Sequence, residues 1–135
     1  MNKNPEILAI KSDKQELKKV EQFLSRIFDE NELPQKCFNK VLLCISEAVI
    51  NSIEHGNKND SRKKVDIEIN CMKGNISIAV HDEGEGFDYT QVDDPTLRNN
   101  IKKEAGRGIH IIKSLCNHVE FRNEGKSVNI NIDLQ

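Results

Sequence analysis

The sequence predicts an α+β protein, a two-layer α/β sandwich in which a mixed, mostly antiparallel sheet carries three helices on one face. Two observations lead there. Four segments place apolar residues at every second position, the mark of strands with one wet face. Three others repeat apolar residues at helical spacing and offer stripes to cover the remaining face.

Residues 6–11 form a short apolar stretch that suits an edge strand. Ser12 or Asp13 then offers an N-cap, with Gln15 or Glu16 closing a capping box. The helix that follows puts Leu17, Val20, Leu24, Ile27 and Phe28 on one face, and residues 31–34 break it. A second helix starts near Pro34, whose fixed φ suits a first turn, and runs to about His55, where Gly56 is the expected C-cap. Next comes a hairpin. Val65, Ile67 and Ile69 alternate with polar residues, Lys73-Gly74-Asn75 turns the chain, and Ile76, Ile78 and Val80 follow. Residues 109–116 read as a short third helix. Val119 and Phe121, a turn at Glu124-Gly125-Lys126, and Val128, Ile130 and Ile132 complete a second hairpin.

The chain has 135 residues, the size of a single domain spanning 1–135. Charge is dense but balanced, with 20 basic and 22 acidic residues, which argues against a nucleic-acid partner. The longest unbroken apolar run is the five residues 41–45, too short to span a membrane. The start of the chain lacks the apolar stretch of a secretory leader, so a cytoplasmic location is expected. Cys37, Cys44, Cys71 and Cys116 are scattered without metal-ligand spacing and read as reduced thiols.

Three features bear on chemistry. In the second helix, Phe38, Val41, Leu42, Ile45, Val49 and Ile53 face the core at about 100° per residue. Glu47 lies almost opposite, with Asn51 and His55 one and two turns further on. That face is either an ordinary solvated one or the wall of a cleft. Its apolar flanks, Leu43 and Ile50 on one side and Cys44 on the other, favour the cleft. The second feature is Asp82-Glu83-Gly84-Glu85-Gly86 just beyond a strand end, a simple turn or a place where backbone approaches a ligand. The third, Gly106-Arg107-Gly108, opens the expected third helix and is either a hinge or a phosphate seat at the helix N-terminus. Between the last two lie about 18 residues, from Asp88 to Ala105, with little periodicity, as in lids and binding loops. Charge is sorted along the chain. Residues 82–94 hold six acids and no base, and residues 98–126 hold seven bases against three acids. A ligand with a neutral donor-bearing end and an anionic end suits that polarity, and a nucleotide has both.

In this order and spacing the three segments resemble the boxes of the Bergerat-fold (GHKL) ATPases, the superfamily of gyrase, heat-shock chaperone, histidine-kinase and mismatch-repair ATPases. Glu47-Ala48-Val49-Ile50-Asn51-Ser52-Ile53-Glu54-His55-Gly56 looks like the N box, and Asp82-Glu83-Gly84-Glu85-Gly86 and Gly106-Arg107-Gly108 look like the two glycine boxes. Within the superfamily the chain is most similar to the anti-sigma-factor serine/threonine protein kinases of partner-switching systems, and Asp94-Pro95-Thr96 is also typical of them. The resemblance implies that Asn51 holds Mg²⁺ through its side-chain oxygen and that Asp82 accepts a hydrogen bond from the adenine amino group of ATP. Gly86 would let the base lie close to the backbone, with Gly84 in the same set. Gly106, Arg107 and Gly108 would bind the phosphates, and Ser127 stands where many relatives have Thr. Glu47 would be the catalytic base. Arg107 departs from a pattern that is more often apolar there. His55 fits the pattern, though a His near a helix C-terminus is also a common dipole partner. A complete sensor histidine kinase is not expected at this length.

The resemblance implies a Mg-ATP-dependent kinase that phosphorylates an antagonist protein and binds a sigma factor, with a homodimer through a sheet edge or the first helix. An ATP-gated binding module without turnover, and a plain structural domain, are the other two readings.

Overall fold

The structure, a computed structural model, describes residues 5–84, 100–122 and 126–134, with the side chains of 100–107 outside that set. The elements run β1 (Glu6–Lys11), α1 (Leu17–Glu30), α2 (Phe38–Asn51), β2 (Lys64–Met72), β3 (Asn75–Asp82), α3 (Asn100–Leu115), β4 (His118–Arg122) and β5 (Ser127–Asp133). The five strands form one sheet in the order β1-β2-β3-β5-β4, with every pairing antiparallel. The fold class is the α+β sandwich that the alternation implied.

Period-two burial sets the layers. Val65, Ile67 and Ile69 of β2, Ile76, Ile78 and Val80 of β3, and Val128, Ile130 and Ile132 of β5 are all buried under the helices. They meet Val20, Phe23, Leu24, Ile27 and Phe28 of α1, Val41, Ile45 and Val49 of α2, and Ile112 of α3 in one cluster. A register slip by one residue would bring the polar set of any strand into this layer, so the alternation fixes the pairing. Gly74, at φ 72, takes the left-handed position in the β2–β3 turn. Cys37 and Cys44 are buried, Cys71 and Cys116 half-buried, and all four are free thiols. Burial pushes the Cys44 thiol up to about 11, which keeps it neutral and packed as an apolar group.

The N-terminal cap divides between two residues. Asp13 accepts the Gln15 N–H at 2.9 Å, and Glu16 reaches back to the Lys11 N–H at 3.3 Å. A 3₁₀ turn, Lys14–Glu16, then leads into α1. Ser12 is not the cap, because its hydroxyl serves Asn57.

Two helix boundaries depart from expectation. The second helix ends as α at Asn51 and continues as a π-helical turn, Ser52–Gly56, closed by the Asn57 N–H on the Ser52 carbonyl at 2.7 Å. Gly56 is therefore not a left-handed C-cap. The left-handed residues are Lys58 (φ 54) and Asn59 (φ 60), whose N–H closes on the Ile53 carbonyl at 2.7 Å. The third helix begins at Asn100 rather than Ile109, because Ile101-Lys102-Lys103-Glu104-Ala105 is itself good helix-forming sequence. Gly106, Arg107 and Gly108 thus lie inside α3, where helical bonding engages their N–H groups, and not at its N-terminus. The turn at Glu124-Gly125 and most of the loop 88–105 lie outside the described residues.

Candidate functional site

The π-turn is where the fold and the site meet, as such turns often do. Asn51 and His55 come out buried and Glu47 half-buried, on the α2 face that the apolar flanks marked as a cleft wall. A cleft of about 350 Å³ runs along this face, lined by Lys14, Glu47, Asn51, Glu54, His55 and Gly108, among others. Gly108 of α3 lies directly above the two polar groups. A Cβ there would stand 3.0 Å from Glu47 Oε2 and 3.1 Å from Asn51 Nδ2. A Cβ there would press on both side-chain ends, so glycine lets α3 come this close without shifting either group. Lys14 Nζ bonds Glu54 Oε2 at 2.8 Å on the rim and places one positive charge beside the cleft.

Asp82, at the end of β3, occupies the other side of the π-turn. A Cβ on Gly56 would lie 2.4 Å from Asp82 Oδ2, and one on Gly84 would lie 1.8 Å from the Gly56 carbonyl oxygen. The two glycines therefore let two backbones and one carboxylate pack where any other residue would collide. Asp82 Oδ1 accepts the Gly84 N–H at 2.9 Å, and its own N–H bonds the Lys126 carbonyl at 2.9 Å. Burial raises the Asp82 carboxyl above its ordinary value of 3.8, and the Gly84 N–H and Ser52 hydroxyl partly offset this. A narrow slot, largely apolar, opens next to it, lined by Ala48, Asn51, Ser52, Val80, Ile112 and Phe121 with Lys126 and Val128. The Gly84 contact gives a first prediction. Gly84→Ala forces the β3 end off the π-turn and lowers stability by about 1–3 kcal/mol, read as a lower midpoint in urea with an unchanged slope.

Of the residues singled out from sequence, Glu47, Asn51, His55 and Gly108 meet in the cleft, and Asp82 and Gly84 stand just across the π-turn. Ser127 does not join them. It pairs with His81 across β3 and β5 and bonds the His81 ring nitrogen Nδ1 at 2.8 Å, while its neighbours Lys126 and Val128 line the slot. Strand alternation turns its side chain to the sheet face away from the helices. Gly86 and the Arg107 side chain lie outside the described residues, and Gly106 is described only as helical backbone. The sequence reading missed Asn57, Ser52 and Lys14. Asn57 follows Gly56 and reads as an ordinary turn residue. Its partners are seven to 45 positions away, so no local signal marks it.

The donor set fits a nucleotide with its metal. Asn51 presents a buried amide beside the Glu47 carboxylate, and the glycine at 108 leaves the space above them open. Among the described residues no three His, Cys, Asp or Glu side chains are grouped to cage a metal. A magnesium ion here would take Asn51 together with phosphate oxygens, as that ion usually does. Among the described residues no helix is long and apolar enough to cross a membrane.

A family model described as the histidine kinase-like ATPase domain matches residues 10–132. The chain is 26% identical over 87 residues to the serine-protein kinase RsbW of Bacillus subtilis, covering 60% of this chain and 54% of that protein. It is 37% identical over 78 residues to the anti-sigma F factor of Oceanobacillus iheyensis, covering 56% and 53%. The matched segment spans about half the length of these two relatives. Among solved structures, that of the RsbU and RsbW domains of Rv1364c from Mycobacterium tuberculosis superposes with a TM-score of 0.65 at 16% identity, covering 96% of this chain and 31% of that one. At that identity the likeness concerns the fold.

Proposed function

The chain belongs to the histidine kinase-like ATPase domain family, and from that premise we propose that it is a Mg-ATP-dependent serine/threonine protein kinase of a partner-switching system. Its substrate would be the hydroxyl of a small antagonist protein, and it would hold a sigma factor reversibly. The observation that carries this reading is the convergence of Glu47 and Asn51 beneath Gly108 in an open cleft. The relatives named as a serine-protein kinase and an anti-sigma factor support a protein hydroxyl as substrate and a sigma factor as partner.

Each residue has a physical task. Asn51 offers a neutral oxygen, the hard ligand magnesium prefers, without adding another negative charge near the phosphates. Asp82 offers a fixed acceptor beside a largely apolar slot that has room for about one water as it stands and would widen to admit a flat base. Glu47 would accept the proton of the attacking hydroxyl, or orient it, as the hydroxyl oxygen bonds to the γ-phosphorus and the bond from that phosphorus to the bridging oxygen breaks, releasing ADP with the electron pair. Bound Mg-ATP supplies the transferable phosphoryl group and the neutralising metal. The rest of the catalytic effect is positioning. β1 is an outer strand of the sheet with Ile7 64% exposed, which supports a homodimer through that edge.

A second reading, a non-catalytic ATP-gated protein-binding switch, is favoured by one observation. Because α3 continues through Gly106 and Gly108, phosphate contacts from those N–H groups require its first turns to unwind. Such a change could alter partner affinity without turnover. Incubation with γ-labelled ATP and a candidate antagonist from the same cell separates the two. Label on the antagonist is expected, and ATP binding without transfer to any candidate leaves the switch.

Asp82 gives a prediction with opposite signs for stability and binding. Its folded value lies above the unfolded one, so it stabilises the fold below its ordinary value of 3.8 and loses that contribution as pH rises through the raised value. At neutral pH the buried carboxylate is a burden on the fold. Asp82→Asn should therefore unfold at an equal or higher temperature while binding ATP about tenfold or more weaker, the magnitude of one charge-assisted hydrogen bond. Calorimetry on both proteins checks each half. A variant that binds ATP as tightly as the parent would remove Asp82 from the base site.

A further inference from the structure

We propose that Asn57 is a positioning residue for nucleobase choice, its amide oxygen fixing the strand end that carries Asp82 while its amide nitrogen holds the fold. The inference rests on the reading of Asp82 as the acceptor for the adenine amino group.

Asn57 is 1% exposed and its side chain ties together three distant segments. Nδ2 donates to Ser12 Oγ and, at 3.0 Å, to the Lys64 carbonyl, while Oδ1 accepts the Glu83 N–H at 2.9 Å. The partners settle which end is which, since a backbone N–H only donates and a carbonyl only accepts. The nitrogen therefore joins the end of β1 to the start of β2, a purely structural link. The oxygen joins the π-turn to the residue directly after Asp82.

That second link lies where the packing is tightest. Gly84 bonds back to Asp82 Oδ1, and the Gly56 backbone abuts both the Asp82 carboxylate and Gly84. Glu83 is held a second time, its Oε2 accepting the Lys64 N–H at 2.7 Å. Contact between the π-turn and residues 82–84 keeps them from moving together, but only a directional bond stops them sliding past each other. The Ser52 hydroxyl makes one such bond, to the Asp82 side chain, and the Asn57 oxygen makes the one that reaches the strand backbone. A carboxylate that distinguishes an amino group from a carbonyl must be placed to within about 0.5 Å, so losing this bond costs discrimination before it costs general affinity.

The experiment compares ATP with ITP, in which a carbonyl replaces the adenine amino group and would face the Asp82 carboxylate. Binding is measured for the full chain and for Asn57→Ala, Asn57→Asp and Ser12→Ala, with thermal unfolding alongside. The parent should prefer ATP by about tenfold or more. Asn57→Ala should reduce the preference to about threefold or less. Asn57→Asp retains an acceptor for the Glu83 N–H and loses the donors, so it should keep the parent's preference to within about threefold while unfolding at a lower temperature. Ser12→Ala should likewise lose stability and keep the preference. If Asn57→Ala does not fold, Asn57→Ser, too short to reach Glu83, makes the same comparison. An alanine or serine variant with the parent's ATP-to-ITP ratio overturns the proposal, as does an aspartate variant that loses the ratio as fully as alanine. A parent that binds ATP without preferring it to ITP refutes the Asp82 reading itself, a distinct failure.

Discussion

Asn51→Ala should abolish magnesium-dependent nucleotide binding. In the parent, ATP at 100 times its Kd in the presence of magnesium should stabilise the fold by about 2.7 kcal/mol. For a chain of this length that is a rise of several degrees in the unfolding midpoint. The alanine variant should show no such rise, and titration calorimetry should show affinity down by about 100-fold or more. The reason is local. Asn51 is buried at the last α-helical position before the π-turn, and its amide sits beside Glu47 under Gly108. Truncation leaves Glu47 as the nearest group, a carboxylate facing phosphates with no metal between them. Asn51→Asp is the companion variant. It restores an oxygen ligand and adds a charge, so some magnesium binding should return with a shifted metal preference. Unchanged ATP affinity in Asn51→Ala would remove the metal assignment.

Glu47→Ala should separate binding from chemistry. Glu47 is half-buried and one helical turn before Asn51, close enough to the same space to act on a hydroxyl delivered there. Removing it takes away a proton acceptor and one negative charge, so ATP affinity should hold or rise slightly. Turnover should fall by about 10²–10⁴-fold, the usual contribution of a general base. Glu47→Gln should behave like the alanine variant in transfer, because it keeps the shape without the basicity. If both variants transfer label at the parent's rate, the acceptor hydroxyl is activated elsewhere and the kinase mechanism offered here fails.

The legible part of this protein was the part governed by periodicity. Alternation in β2, β3, β4 and β5 gave the sheet, and the α2 stripe with its apolar flanks gave the cleft wall, because burial imposes those periods directly on the residues. What stayed hidden depends on contacts between distant segments. Gly56 read as a helix cap by its position, whereas its conformation is ordinary and the Asp82 carboxylate against its backbone explains it. Gly106 and Gly108 suggested a helix start, yet four good helix formers ahead of them, Lys102 to Ala105, carry α3 through both. Ser127 is next in sequence to Lys126 and Val128, which line the slot, but alternation puts its side chain on the other face of the strand, against His81. Asn57 carried no local sign at all.

One nucleotide held between the Glu47–Asn51 cleft and Asp82 across the π-turn would leave a contiguous footprint on the backbone. Mapping amide chemical shifts during titration of the parent with Mg-ATP tests it most directly. Saturable shifts should centre on Asn51, Ser52, Asp82, Gly84 and Gly108, with Asn129 and Asn131 on the opposite sheet face unmoved. Shifts confined to that opposite face, or none at ATP concentrations that stabilise the fold, would contradict it.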